Sequence, residues 1–408
     1  METLDNISQN KKSKKETEMG LENVLVLQGG GSLGAYECGV LKYLYKNNVG
    51  FDVLAGSSIG AVNTSIITSA QNGGQDVAKV LEDFWLTLSQ TVLPFEPSFL
   101  SIQPFTSSDK MTAVWSSMQS IFFGNSKAFL PKWFMPASSN YCFPFDWTYL
   151  YDTSPLKKTL KEFIDFDKLK KNEFSSMHLS PNNNDNRQSR LIITATDVRK
   201  GEPVVFDTAY MDIDVDKIIA SIGYPFYGIK WSVTDERILW DGSLLTNTPL
   251  MEVFKASPVA NKKLYIVDVF PREQKEIPEN MLEVWHRARD IIFMDKTDKN
   301  IEMLKINERL LNLLKKIHDI VNAKDAKIDK KTKQRIEELD PEYNQFVRNY
   351  GAAITDVIRI GRKEKDSHYM LEDADFSKYR IKKLIDEGER DAKKVLTNNN
   401  RTSDNTLR

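Results

Sequence analysis

The stretch DVLAGSSIGAVNTS, residues 52–65, runs from a short apolar segment (Val53, Leu54, Ala55) through Gly56-Ser57-Ser58-Ile59-Gly60 into small and β-branched residues that read as a helix start. A serine at the centre of Gly-x-Ser-x-Gly fits a sharp strand-to-helix turn, where glycines remove side chains that would clash. Such a serine also sits at a helix N-terminus, whose N–H groups and dipole favour negative charge on nearby oxygens. Gly/Ser turns are common, so Ser58, Gly56 and Gly60 need supporting residues elsewhere before they suggest chemistry.

Upstream, NVLVLQ is a continuous apolar β-run, GGGSLGAYECGVLKYLYKNN a glycine loop entering an amphipathic helix, and FDVLA a second strand. Strand, helix, strand in this order predicts an α/β fold with a largely parallel sheet. Gly29, Gly30, Gly31 and Gly34 lie where consecutive backbone amides can face an anion, either a diphosphate or the oxyanion of acyl transfer. The same letters satisfy G-x-G-x-x-G, with Asp52 close to the position of a ribose-binding acid. A dinucleotide site is therefore a competing reading, but it leaves the Gly-x-Ser-x-Gly unexplained.

Further on, ERILWDGSLL predicts a strand ending at Asp241-Gly242-Ser243. A carboxylate there, flanked by apolar residues, can act as a base with a pKa raised by desolvation; Asp-Gly is also a common turn. Of the four histidines, His178 borders a polar loop and His286, His318 and His368 fall in the charged C-terminal part. None follows an apolar strand in a glycine-rich context. A Ser/Asp dyad is thus more economical than a Ser/His/Asp triad.

These three blocks, Gly29–Gly34, Gly56–Gly60 around Ser58, and Asp241-Gly242-Ser243, resemble in order the signature blocks of patatin-like phospholipases. ASIGYPFYGIKW and TNTPL resemble their surroundings. The resemblance covers residues 21–272 and implies a three-layer α/β fold. It implies a serine lipid acyl hydrolase of phospholipase A type, with Ser58 as nucleophile, Asp241 as base and glycine-loop amides, chiefly of Gly30 and Gly31, as the oxyanion hole. It implies no metal or organic cofactor. Leu33 stands where many relatives carry a basic residue, and Ser243 where glycine or alanine is usual. The segments HRARDIIFMDKT and DFSKYRIKKLIDEGERDAKKVL are similar to the C-terminal extension of one bacterial and archaeal branch. A neutral-lipid or polyester esterase, and a non-catalytic dinucleotide or anion binder, are the alternatives.

Composition agrees with this class. The 408 residues are 41% hydrophobic, with 56 Lys and Arg balancing 57 Asp and Glu, so no global basic field suggests nucleic acid. Two cysteines, Cys38 and Cys142, make no disulfide framework or metal knuckle, and a reducing cytoplasm is the expected setting. No apolar run is long enough to span a bilayer. Residues 1–20 read as a disordered tail without a signal-peptide pattern, whose lysines leave peripheral contact with an anionic membrane open.

In residues 91–151, 15 of 61 are aromatic against 10% of the chain. Six prolines there predict short helices and loops, forming either a local aromatic core or a lid on an apolar pocket. SPLKKTLKEFIDFDKL reads as helix, MHLSPNNNDNRQS as a polar loop, and RLIITATDVRKGEPVVFD as two strands about Lys200-Gly201. The sheet is expected to close at KLYIVDVF. Beyond it lies an extension, residues 273–408, in which 54 of the 133 residues from 276 onward are charged. It predicts a long amphipathic helix from Ile301, a strand near 354–360 that returns to the sheet, a final helix and a frayed polar end. The sequence leaves the oligomeric state open.

Overall fold

The computed structural model of the chain describes residues 20–89, 109–134, 147–172, 188–274, 277–323, 328–362 and 372–405. In chain order the first elements are β1 (Leu21–Leu27), α1 (Gly34–Lys46), β2 (Val53–Ser57), α2 (Ile59–Asn72), α3 (Val77–Leu88) and α4 (Asp109–Phe123). A small two-stranded antiparallel sheet, β3 (Leu130–Pro131) and β4 (Tyr151–Asp152), precedes α5 (Ser154–Phe163), β5 (Arg190–Asp197), β6 (Glu202–Asp207) and α6 (Val215–Ala220). Then come β7 (Ser232–Thr234), β8 (Arg237–Asp241), α7 (Leu250–Ala256), β9 (Asn261–Asp268), α8 (Met281–Val321), α9 (Lys330–Tyr350), β10 (Ile354–Gly361) and α10 (Lys378–Asn405).

The main sheet has the order β10-β9-β1-β2-β5-β8-β7, with β6 also paired to β5. From β10 to β5 the strands are parallel, while β6 and β8 run antiparallel to β5 and β7 antiparallel to β8. Successive side chains point to opposite faces, so the buried strands read as continuous apolar runs. Leu25, Leu27, Leu54, Leu191 and Ile193 face one core, built with α1, α2, α3 and α10. Val24, Val26, Val53, Ala55 and Ile192 face a second, built with α7 and Leu304 of α8. The result is a three-layer α/β fold with a helical C-terminal region.

The sheet does not close at β9. β10 adds outside it in parallel, because Ile358 and Ile360 continue the apolar face of Tyr265 and Val267. α10 extends through Asn405, where a frayed end was expected. It packs on α1 closely enough that a Cβ at Gly39 would lie 1.9 Å from the Ile385 carbonyl oxygen, and one at Gly388 2.1 Å from that of Tyr36. Charge in α8 and α10 therefore marks solvated faces of helices whose other faces join the two cores, whereas α9 buries no residue. α4 is a 15-residue helix within the aromatic segment, longer than the short pieces expected, because Pro104 and Pro131 flank a proline-free stretch. The tail before Gly20, residues 90–108 and 135–146 of the aromatic segment, and most of the polar loop lie outside the described residues.

α2 is buried along almost its whole length although it reads IGAVNTSIITSAQN. Three of its hydroxyls bond within the helix, Thr64 to the Gly60 carbonyl at 2.8 Å, Ser65 to that of Ala61 at 2.7 Å and Thr68 to that of Thr64 at 2.7 Å, while Ser69 donates to the Asp165 carbonyl at 3.2 Å. Asn63 donates to the Gly34 carbonyl and to Glu37, and accepts from the Trp85 indole. Gly39→Ala, which forces α1 and α10 apart, is expected to lower stability by about 1–3 kcal/mol, measured by urea denaturation.

Candidate active site

The ends of two strands meet against β5. Ser57, last in β2, is in register with Thr194, and Asp241, last in β8, with Ala195, the next residue of β5. β2 and β8 approach from opposite directions, so Ser58 and Asp241, 183 residues apart, come together. The Ser58 hydroxyl donates to Asp241 Oδ2 at 2.6 Å.

Each glycine of the serine turn has a steric reason. A Cβ at Gly56 would lie 2.3 Å from the Gly60 carbonyl oxygen, and one at Gly60 2.5 Å from that of Leu27. The first glycine lets the helix fold back on its strand, and the second lets α2 pass beside β1. Ser58 itself has φ 55° and ψ −127°, a strained conformation for a residue with a side chain. Its N–H donates to Ser221 Oγ at 3.0 Å, and Ser221 donates to the Thr194 carbonyl at 2.7 Å. The turn is thereby fastened to β5.

Asp241 is fully buried. Its Oδ1 accepts from the Ser243 N–H at 2.8 Å, its N–H donates to the Gly223 carbonyl and its own carbonyl accepts from Thr196. Desolvation raises the carboxyl from 3.8 to about 6, and the bonds from Ser58 and Ser243 oppose the rise. Gly242 is required because a Cβ there would sit 2.3 Å from the Thr194 carbonyl oxygen.

The four loop glycines have different surroundings. The Gly29 N–H donates to Asn247 Oδ1 at 3.0 Å, and a Cβ there would meet the Ser58 Cβ at 2.7 Å. The Gly34 N–H is used by the carbonyls of Gly31 and Ser32, and its missing side chain leaves room for Trp85 and Ile59. Gly30 and Gly31 remain as the loop residues that line the cavity without a shown amide partner among the described residues. Leu33 is fully buried and points into the core.

A cavity of about 340 Å³ opens onto Ser58 and Asp241. Its walls are mainly apolar, including Leu88, Ile121, Phe129, Leu156, Ile222 and Phe270. Phe129 and Tyr151, from the aromatic segment, meet edge to face. Arg289 and Phe293 of α8, and Asp373, Ala374 and Phe376 beyond β10, form another wall, so the charged extension reaches the site.

Asp52, the ribose-binding candidate, is at the opposite end of the sheet. It precedes β2 and its carboxylate accepts from the Asn23 N–H at 2.7 Å, whereas the glycine loop follows the other end of β1. The G-x-G-x-x-G match therefore lacks the acid needed at the strand's C-terminal end. His318 stacks on Tyr343, away from Ser58, and His286 Nε2 has no hydrogen-bond partner among the described residues. His178 and His368 lie outside them. Ser221 and Asn247, which fix the turn and the loop, fall within ASIGYPF and TNTPL, but no local pattern marked them individually. Arg289 falls within HRARDIIFMDKT, but no local pattern marked it individually, and Asp373 carried no sequence signal.

The chain matches the patatin-like phospholipase family over residues 25–254, more than half its length, and a family described as patatin phospholipase over residues 291–406. It belongs to the patatin-like phospholipases, a membership that supports lipid hydrolysis. Two solved structures are similar in outline. VipD from Legionella pneumophila is 11% identical, with 92% of this chain and 67% of that chain covered at a TM-score of 0.35. The type III effector protein ExoU is 12% identical, with 92% and 53% covered at 0.29. The chain thus spans about two thirds of the first and about half of the second. No curated protein matches it. Among the described residues, no helix is long and apolar enough to cross a membrane.

The buried carboxylate has a thermodynamic consequence. Between pH 3.8 and about 6 the folded chain retains a proton that the unfolded chain has lost, so this group makes stability fall as pH rises through that window. Asp241→Asn is expected to stabilise the fold at pH 7.5 by roughly 1–3 kcal/mol, with the difference vanishing near pH 4, as read by thermal melts at both pH values.

Proposed function

We propose that the chain is a serine lipid acyl hydrolase that works through a Ser58/Asp241 dyad. The observation that carries this reading is the 2.6 Å hydrogen bond from Ser58 to a fully buried Asp241 at the floor of an apolar cavity. Asp241 Oδ2 takes the Ser58 proton as Oγ bonds to the ester carbonyl carbon. The tetrahedral oxyanion is received by the Gly30 and Gly31 amides. Collapse breaks the bond to the alcohol oxygen, which leaves with the proton from Asp241, and acyl-Ser58 remains. Water then attacks the acyl carbon, giving its proton to Asp241. The fatty acid departs and Ser58 regains its proton. Desolvation matters here because a carboxyl near 6 is a stronger base than one at 3.8.

The apolar walls suit an acyl chain, and phospholipase A-type cleavage of a carboxylic ester is the reading we favour. A neutral-lipid or polyester esterase is a second reading with an observation of its own. Arg289 is the cation lining the cavity among the described residues, and it is already paired with Asp290 and Asp373. The portion of substrate inside the cavity then meets no uncompensated positive charge. A lipid substrate is presented at a lipid surface, which the protein contacts peripherally from the cytoplasmic compartment.

Hydrolysis of a phospholipid and of a triacylglycerol by wild type, Ser58→Ala and Asp241→Asn tests these statements. Both variants are expected to lose at least about 10³-fold in kcat. Comparable activity of Ser58→Ala contradicts the proposal, and the preferred lipid decides between phospholipase and neutral-lipid esterase. The wild-type kcat/KM is expected to fall about tenfold per unit below an apparent pKa near 6, because protonated Asp241 cannot accept the Ser58 proton. A flat profile from pH 4.5 to 8 contradicts Asp241 as base.

A further inference from the structure

The glycine loop is braced by the far end of the chain. Gly31 has φ +57°, and a Cβ there would lie 2.5 Å from the Asp373 carbonyl oxygen, so loop and Glu372–Ala374 turn touch backbone to backbone. The next residue, Ser32, donates to the Glu372 carbonyl at 3.0 Å. The Asp373 side chain points elsewhere: its Oδ2 accepts from Tyr227 at 2.6 Å and from Arg289 at 2.5 Å. Tyr227 belongs to the segment that also supplies Ser221 to the Ser58 N–H and the Gly223 carbonyl to the Asp241 N–H. One turn thus meets the glycine loop through its backbone and the segment holding the serine and aspartate through its side chain.

We propose that Asp373, held by Arg289 of α8, is a positioning residue that sets the glycine loop relative to Ser58, so that the charged C-terminal extension completes the active site. The proposal rests on the reading of Gly30 and Gly31 as the oxyanion amides. The turn is itself fixed. Glu372 bonds Arg362 and Arg380 at 2.9–3.1 Å, and Asp375 accepts from Ser116 at 2.6 Å. Asp373 and Arg289 are 6% and 8% exposed. Buried ion pairs recover their desolvation cost only with good geometry, and losing one partner is costly. A charged, multiply bonded turn permits fewer arrangements than an apolar wall of equal size. The loop it abuts must aim amides at a developing charge, where small displacements slow the reaction severely.

The test uses the full chain carrying Asp373→Asn, which weakens the bond to Arg289 at nearly constant shape, and Ser32→Ala, which removes the loop-to-turn hydrogen bond without touching the charged cluster. Lys46→Met, which removes an exposed ion pair to Glu389 between α1 and α10, is the control. Amide hydrogen exchange over residues 28–34 is measured beside kcat and KM for a short-chain p-nitrophenyl ester. In Asp373→Asn, exchange in that segment is expected to rise about tenfold and kcat to fall about tenfold or more, with KM changed less than about threefold. Ser32→Ala is expected to shift both in the same direction by a smaller factor, and Lys46→Met to shift neither. Unchanged exchange over residues 28–34 in both loop-side variants overturns the proposal, as does a kcat loss that only tracks the folded fraction. If Asp373→Asn does not fold, Ser32→Ala decides by the same criteria. A wild type without Ser58-dependent turnover defeats the dyad reading alone, because the exchange measurement still judges the brace.

Discussion

The hydrogen bond between Ser58 and Asp241 depends on the sheet more than on the loops around it. β5 is the common template. Thr194 registers the end of β2 and Ala195 the end of β8, so two strands running in opposite directions place their last residues side by side. Thr194 supplies further restraints, since its carbonyl accepts from Ser221 and leaves no room for a side chain at Gly242. A strained serine and a desolvated carboxylate both oppose folding, and strain of this kind persists only where its surroundings over-determine it. The network from Ser221, Thr196, Ser243 and Gly223 provides that over-determination.

A second constraint is the close approach of backbones. Gly56, Gly60 and Gly29 allow β1, β2 and α2 to converge beneath the cavity, and Gly39 and Gly388 allow α10 to lie against α1. The extension is consequently part of the packed molecule: β10 widens the sheet, α8 covers its second face and Phe376 meets Phe129 in the cavity wall. The cavity walls thus draw on parts of the chain far apart in sequence.

Much of this was legible in the sequence because the governing signals are local. Apolar runs marked β1, β2, β5, β8 and β9, and the turns at Gly56–Gly60 and Asp241-Gly242 carried residue types that such backbones require. The late strand was legible too, as AITDVIRIGR in a charged region. What local patterns cannot encode is which groups are consumed by long-range bonds. Gly29 and Gly34 look equivalent to Gly30 and Gly31 in the motif, yet their amides are taken by Asn247 and by carbonyls of the loop itself. Asp52 has the spacing of a ribose-binding acid, and only strand direction shows it to be at the wrong end of the sheet. Asp373 touches Gly31 across most of the chain's length, a contact set by the sheet's addition of β10 and invisible to any window of sequence.

The proposed chemistry stands or falls on activation of Ser58 by Asp241. The most direct measurement is intact-mass analysis after treatment with an active-site fluorophosphonate, with the modified residue located by peptide mapping in wild type and in Asp241→Asn. One adduct per wild-type chain, on Ser58, is expected, and little or none in the folded Asp241→Asn protein. A folded wild type that takes up no label, or labelling of Ser58 that proceeds equally well without the carboxylate, would contradict it.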